Sequence, residues 1–393
     1  MPDYKKYFLL DPDVTYLNHG SFGACPRPVF EKYQDWQRQL ESQPVEFLGR
    51  KFGGLLSDAR ERLADFLGVN SSDLVYFPNP TTAINMAARN IARLVEGYSG
   101  VPLRPGDEIL SSDHEYGALD RTWRYFCAQN GNSYVNRRLP LPLLEPSELV
   151  EHFWKGVNDK TRVVYLSHIT SPTALILPAQ EIARRARETG ILSIIDGAHA
   201  PGQIDLDLQS VGADLYAGAC HKWLMAPKGS AFLYVRSELQ AYLDPLVISW
   251  GYLPESGYGS GLDFIDRHEW QGTRDIAAYL SVPAAIEFQQ VNNWEKVRQE
   301  CHRLAVEARR RLTELTGLTP ICGEDSFRQM FAARLPDDVD TDILARRLYE
   351  EFHIEVPAIH SNSWKILRVS IQGYNSEQDV ERLIHALKSL VFS

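Results

Sequence analysis

The sequence predicts an α/β fold, a mostly parallel sheet covered by helices on both faces, with a second, smaller α+β unit after it. Three observations predict this. Short apolar strands alternate with amphipathic helices over most of the chain, and this alternation stops at about residue 280. The third is length: 393 residues exceed what one core usually supports, so two domains are the default.

The strand "DLVYF" (73–77) precedes "TTAINMAARNIARLV", where Ile84, Ala87, Ala88, Ile91 and Val95 trace one helical face. "DEIL" (107–110) precedes "GALDRTWRYFCAQNG", which ends on a glycine suited to a helix C-terminus. "RVVYLSHI" (162–169) leads to the helix "PAQEIARRARETG", with Pro178 near its start. Then come the strands "ILSIID" (191–196), "DLYAGA" (214–219) and "SAFLYV" (230–235). The Gly-rich "GYLPESGYGSGLDF" (251–264) reads as a mobile loop, with a disordered linker as the alternative. Beyond it the chain offers one long helical stretch, "AAIEFQQVNNWEKVRQECHRLAVEARRRLTELTG", and the strand "QMFAARL". The helix "DTDILARRLYEEF", the strand "WKILRVSI" and a last helix, "SEQDVERLIHALKSLV", complete the smaller unit. The expected division is a large domain over 16–280 and a small domain made of 1–15 and 281–393.

A net charge of −10 with no strong basic block argues against a general nucleic-acid-binding role. Cys25, Cys127, Cys220, Cys301 and Cys322 are scattered, odd in number and contain no CxxC pair. That pattern argues against a disulfide scaffold or a zinc site and fits a reducing cytosol. "MPDYKKYFLLDPDV" is neither a signal peptide nor an anchor, and no apolar run reaches membrane-spanning length, so a cytoplasmic protein is expected.

Ligands of open α/β sheets sit at the carboxyl ends of the strands, and Asp196 occupies such an end. Alone it reads more readily as a turn or cap residue, and His199 in "DGAHAPGQ" as a satisfied core histidine. Lys222, one connection further on, follows the small-residue run Ala217–Ala219 in "AGACHKW". An aspartate ending one strand and a lysine following the next are what pyridoxal phosphate requires. The amine forms a Schiff base with the aldehyde, and the carboxylate keeps the pyridine nitrogen protonated. The cofactor also carries a phosphate. "NPTTAIN" (79–85) opens a helix after a strand, where Thr81 and Thr82 offer hydroxyls and free N–H groups to an anion. Alone this would be plain N-capping; beside Asp196 and Lys222 the phosphate reading is the better one.

"DGAHAPGQIDLDLQSVGADLYAGACHKWLMAPKGSAFLYV" resembles the signature of class V, fold-type I, pyridoxal-phosphate enzymes. Within these, "YLNHGSFGACP" (16–26), "DHEYGALDRTW" (113–123) and "HITSPTALILP" (168–178) resemble isopenicillin N epimerase-like proteins, over nearly the whole chain. The resemblance implies that Lys222 carries the Schiff base, that Asp196 faces the pyridine nitrogen, and that His199, with Ser171 or Thr170, lies near the phenolic oxygen. It implies Tyr116 as the ring stacked on the pyridine, with His114 as the rival, and His221 as a phosphate ligand. Ala219 stands where relatives often have a phosphate-binding serine, a departure from the pattern. Gly272 and Thr273 in "WQGTRD" resemble the segment that reaches the phosphate of a neighbouring subunit, which implies a homodimer with shared active sites. Arg368 in "LRVSIQGYN" matches the arginine that clamps the substrate α-carboxylate, so an amino acid or a derivative of one is the expected substrate. Asn18 and His19 in "NHGSFG" are further substrate-side candidates.

Lys222, once freed by the substrate amine, can remove the α-proton. Epimerisation, β-elimination and transamination all leave from that point. The first needs a second acid/base, for which His19 and Tyr116 are the candidates; a C–S lyase or a class V aminotransferase stays open as the alternative. A persulfide-forming desulfurase needs a nucleophilic cysteine shortly before the carboxylate arginine, and "HIEVPAIHSNSWKIL" has none. A non-catalytic protein of this fold is disfavoured by the intact Lys222, Asp196 and Arg368. A nicotinamide dehydrogenase is disfavoured by the lack of GxGxxG after an early strand.

Overall fold

In the computed structural model, residues 4–252, 260–361 and 364–392 are described. Seven strands form the central sheet: β1 (Leu74–Phe77), β2 (Glu108–Ser112), β3 (Ser133–Arg137), β4 (Thr161–Ser167), β5 (Leu192–Gly197), β6 (Leu215–Ala219) and β7 (Ala231–Val235). Their order across the sheet is β1-β7-β6-β5-β4-β2-β3. Only β7 runs antiparallel to its neighbours. The reason is local: β6 and β7 are joined by residues 220–230 alone, too short a link for a helical crossover between parallel strands.

Apart from the edge strand β3, whose residues are exposed or half-buried, the strands are buried on both faces. In β4, Val163 and Tyr165 join one apolar cluster while Val164 and Leu166 join another on the opposite face. Helices Pro80–Arg89 and Gly117–Asn130 cover the first face. Helix Ala179–Glu188 and the N-terminal helices Arg27–Ser42 and Phe52–Leu67 cover the second. A strand covered on both faces reads as a continuous apolar run, which is how these segments look in sequence.

The smaller unit holds β8 (Met330–Arg334), β9 (Ala358–Ser361) and β10 (Trp364–Ser370) in the antiparallel order β9-β10-β8. Thr15–Tyr16 pairs in parallel with Ile354–Glu355, so the N-terminal segment is tied to the C-terminal part of the chain.

Three details depart from the sequence expectation. The long helical stretch is two helices, Val282–Val291 and Trp294–Thr316, broken where Asn293 takes φ +46°. Within 251–264, residues from Asp263 start a helix, Asp263–Glu269, whose Phe264, Ile265 and His268 are buried; the expected loop otherwise falls largely on 253–259, outside the described residues. Strands β3 and β9 carry too little apolar alternation to be read from sequence. Among the described residues no helix is long and apolar enough to cross a membrane.

Candidate active site

The register of the sheet brings the site together. Asp196 pairs with Ser167 of β4 on one side and Ala217 of β6 on the other, at the carboxyl ends of three adjacent parallel strands. Its Oδ1 accepts from the Ala198 N–H at 2.9 Å, which fixes the carboxylate's direction. Burial raises its proton affinity, and Lys222 nearby opposes that shift.

Lys222 follows β6 on the connection to β7. The turn is held from below by Gly23, whose φ is +70° and whose missing Cβ would stand 2.0 Å from the His221 carbonyl. No other residue can bring the N-terminal segment this close. Burial pulls the Lys222 amine down to about 8, with Asp196 opposing and Arg368 adding to the fall. An amine so tuned is partly uncharged near neutrality and nucleophilic. Its Nζ lies 3.1 Å from His199 Nε2, and the Trp223 indole N–H donates to His199 Nδ1 at 3.3 Å.

Arg368 projects from β10 into the same region and is only 5% exposed. Nη1 donates to the Ser171 carbonyl at 2.6 Å and to Ser171 Oγ at 3.3 Å, while Nη2 donates to Ser21 Oγ at 2.7 Å. Ser21 in turn donates to Asn18 Oδ1 at 2.6 Å, and Asn18 Nδ2 donates to Glu355 at 2.9 Å. Three segments far apart in sequence therefore aim one guanidinium. Among the described residues its Nε has no acceptor and no carboxylate pairs with it. Burial lowers its pKa to about 10, with the phenols of Tyr116 and Tyr16 opposing. A desolvated cation without a counter-charge is costly unless an anion arrives.

Ser171, expected beside the cofactor's phenolic oxygen, accepts from Arg368 Nη1 through both its carbonyl and its Oγ. Thr170 is engaged with Thr173 and the Leu175 N–H. Between the two stacking candidates, His114 is buried with Nδ1 on Thr173 Oγ1 at 2.7 Å. Tyr116 is 43% exposed at the cap of helix Gly117–Asn130, close enough to Arg368 to act on its charge. His19 is fully buried, its Nε2 donating to the Lys222 carbonyl at 3.1 Å and its Nδ1 accepting from Tyr374 at 2.9 Å. Burial lowers its pKa to about 3, so it touches the lysine through the backbone and stays neutral.

At the phosphate end, Asn79 caps helix Pro80–Arg89 by accepting from the Thr82 N–H and hydroxyl, at 2.8 and 3.0 Å. That leaves the Thr81 N–H and hydroxyl free at the positive end of the helix dipole. His221 donates from Nδ1 to the Ser230 carbonyl at 3.1 Å and is kept neutral by burial, its pKa near 4. Gly272 and Thr273 lie on a turn, Thr273 exposed and Gly272 half-buried with φ +108° and open space where a Cβ would be.

These residues fit pyridoxal phosphate. The donor set offers a weakly basic amine, a buried carboxylate and a helix N-terminus, and the Arg368 Nε has no acceptor among the described residues. Ser21, Trp223 and Tyr374 are site residues that sequence reading did not single out. Only the long-range contacts reveal them.

Comparison with known proteins gives a concordant result. Residues 15–383 match the family described as aminotransferase class-V. An isopenicillin N epimerase from Amycolatopsis lactamdurans is 39% identical, over 97% of this chain and 96% of the relative. A probable chloroplastic L-cysteine desulfhydrase from Arabidopsis thaliana is 28% identical, over 97% and 84%. A cysteine desulfurase from Escherichia coli superposes with a TM-score of 0.80 at 22% identity, covering 98% of this chain and 97% of that one, which shows a shared fold.

Proposed function

This chain belongs to the aminotransferase class-V family, whose cofactor is pyridoxal phosphate, and from that premise we propose that it is an amino-acid epimerase of the isopenicillin N epimerase kind. The observation that carries a substrate of amino-acid type is Arg368, a buried guanidinium with an unused Nε and no carboxylate partner beside the Lys222 amine. The planar fork accepts an α-carboxylate in two-point fashion and so fixes the α-carbon relative to Lys222.

When bound, the cofactor supplies an electron sink for the pair left behind as the α-proton departs. Asp196 would face its ring nitrogen, and the free Thr81 N–H and hydroxyl would hold its phosphate beside Thr82, whose own donors stay on Asn79; His221, with Nδ1 on the Ser230 carbonyl, would donate to that phosphate only as the imidazolium. His199 takes the phenolic side, and Tyr116 lies along the ring. Lys222 Nζ receives the α-proton, a role that a neutral amine performs and an ammonium cannot. Epimerisation requires a proton returned to the opposite face. Of the two candidates, Tyr116 is exposed and near enough to Arg368 to act on its charge, whereas both nitrogens of His19 are taken. We therefore assign the returning proton to Tyr116 and a positioning role to His19, alongside Asn18.

The higher identity to the epimerase than to the desulfhydrase supports this order of preference. A C–S lyase is the second reading, because β-elimination uses the same Lys222 proton transfer and needs no returning acid. A desulfurase is disfavoured: no cysteine lies between residues 353 and 367, and burial raises the Cys220 and Cys322 thiols. The exposure of Thr273, together with the resemblance of "WQGTRD" to the segment that reaches a neighbouring subunit's phosphate, supports a homodimer in which this turn completes the partner's phosphate site. Five unpaired cysteines support a cytosolic setting.

A panel of amino acids incubated in deuterium oxide separates the readings. Interconversion of D and L forms with label at the α-carbon is the expected result. Release of pyruvate and sulfide would establish the lyase, and accumulation of a 2-oxo acid the aminotransferase. Sedimentation of the Thr273→Ala chain, with its cofactor affinity, checks the shared site.

A further inference from the structure

We propose that Trp223 is a positioning residue: it fixes the tautomer of His199 so that Nε2–H faces Lys222 and favours the uncharged form of that amine. The inference rests on Lys222 being the cofactor-binding amine.

An indole N–H can only donate. With Trp223 Nε1 at 3.3 Å, His199 Nδ1 must therefore be the bare nitrogen. The single proton of the neutral ring then sits on Nε2, 3.1 Å from Lys222 Nζ. Turning the ring over would put carbon atoms at both places and lose both contacts, so the assignment follows from the partners. An Nε2–H opposite an ammonium would set proton against proton. The contact is a hydrogen bond only when Nζ offers its lone pair. A doubly protonated His199 is disfavoured in the same way, because a proton on Nδ1 would point at the indole N–H.

Trp223 has no freedom to leave. It is fully buried, its carbonyl accepts from Gln289 Nε2 at 2.9 Å, and the His19 ring packs 4.9 Å from it. Gly202 lies so close that a Cβ there would be 2.4 Å from the same carbonyl. Other charged and titratable groups also face the pair. Asp196 on β5 favours the ammonium and Arg368 on β10 opposes it, while His221 on the same turn and His19 from the N-terminal segment add to the field on His199. None of these chooses between the two ring nitrogens, whereas Trp223 does.

Trp223→Phe keeps an aromatic ring and removes the donor. The proton of His199 is then free to move to Nδ1, and Nε2 can accept from a charged Lys222. The rate at which the full-length, cofactor-stripped chain captures pyridoxal phosphate should follow the neutral amine. Its pH midpoint should rise by about one unit in the variant, the worth of one charge-assisted hydrogen bond. The shift should vanish when both chains also carry His199→Gln, since it passes through the imidazole. Because the buried substitution can impair folding, the unmodified protein provides an independent readout: ¹⁵N shifts of His199 should show the Nε2–H form. An Nδ1–H spectrum overturns the proposal, as does an unmoved midpoint or a shift that survives in the His199→Gln background. If borohydride traps no cofactor on Lys222, the reading of that lysine fails instead; the ¹⁵N result needs no cofactor and keeps the two failures apart.

Discussion

Removing the Arg368 guanidinium tests the substrate assignment most directly, because its consequences for binding and for stability separate. In Arg368→Ala the donations to Ser171 and Ser21 are lost, together with a buried cation that has no counter-charge. Each lost hydrogen bond costs about 1 kcal/mol, but the desolvation cost of the unpaired charge disappears with it. The two effects offset, and folding stability should move by no more than about 1–2 kcal/mol. Binding has no such offset. Truncating one partner of a buried charge pair costs about 2–5 kcal/mol, and the low end applies where water can enter the vacated space. A loss of about 2 kcal/mol corresponds to roughly a 30-fold rise in Kd. The assay is titration of the holoenzyme with an amino acid, followed in the cofactor's visible band, beside the matching amine that lacks the carboxylate. The variant should lose affinity for the amino acid alone, and Arg368→Lys should fall between, having the charge without the fork. Equal binding of the amino acid by wild type and Arg368→Ala would refute the clamp. A parallel loss for the amine would show that the arginine shapes the site instead.

Lys222→Ala should lower α-proton exchange by at least about 10²-fold while circular dichroism stays native, and full exchange would remove the lysine from the mechanism. Gly23→Ala places a methyl group 2.0 Å from the His221 carbonyl at φ +70°. It should destabilise the chain by about 2 kcal/mol or more and loosen the cofactor, so an unchanged Tm would contradict the close approach. Stability against pH should pass through a maximum near about pH 6.5. Burial holds His19 near 3, and His168 and His268 near 4, so below the ordinary histidine value of 6.5 the unfolded chain binds more protons. Their contribution is present above that value and lost as the pH falls toward 4. Glu115, pushed up to about 8 by burial, acts in the opposite sense, favouring the fold at low pH and losing that effect as the pH rises through 8. His221, held near 4 by burial, acts with these histidines, and Asp196, Asp214 and Glu269, raised by burial, act with Glu115, so the limb between pH 4 and 6.5 reads the histidines and the limb between 6.5 and 8 the carboxyls. Urea midpoints that stay flat across this range would refute the burial argument.

Much of the site was readable because its parts have local signatures. Asp196 ends a strand whose residues are all buried, and Lys222 follows a run of small residues in which a Cβ at Gly218 would stand 2.4 Å from the Phe232 ring. Thr81 and Thr82 sit beyond a strand at a helix start, with Asn79 as the cap. Strand β3 was not readable, because its residues are only partly buried at the sheet edge and its sequence carries polar side chains. The break at Asn293 was hidden for another reason. Both flanking helices are amphipathic, and a single residue in the left-handed region leaves the apolar period almost undisturbed.

The chain's periodicities and strand-end residues determine by themselves an α/β sheet with a lysine and an aspartate on neighbouring strands, and the resemblance of its longer motifs gives the family. These are properties of short segments, fixed by spacing that any window of the sequence displays. Only the tertiary structure decides that Ser21 and Ser171 aim Arg368, that His19 is spent on the Lys222 carbonyl, and that Trp223 reaches His199. Most of those partners lie far apart along the chain. A hydrogen bond between them depends on distance and donor direction, which packing sets and residue order does not display.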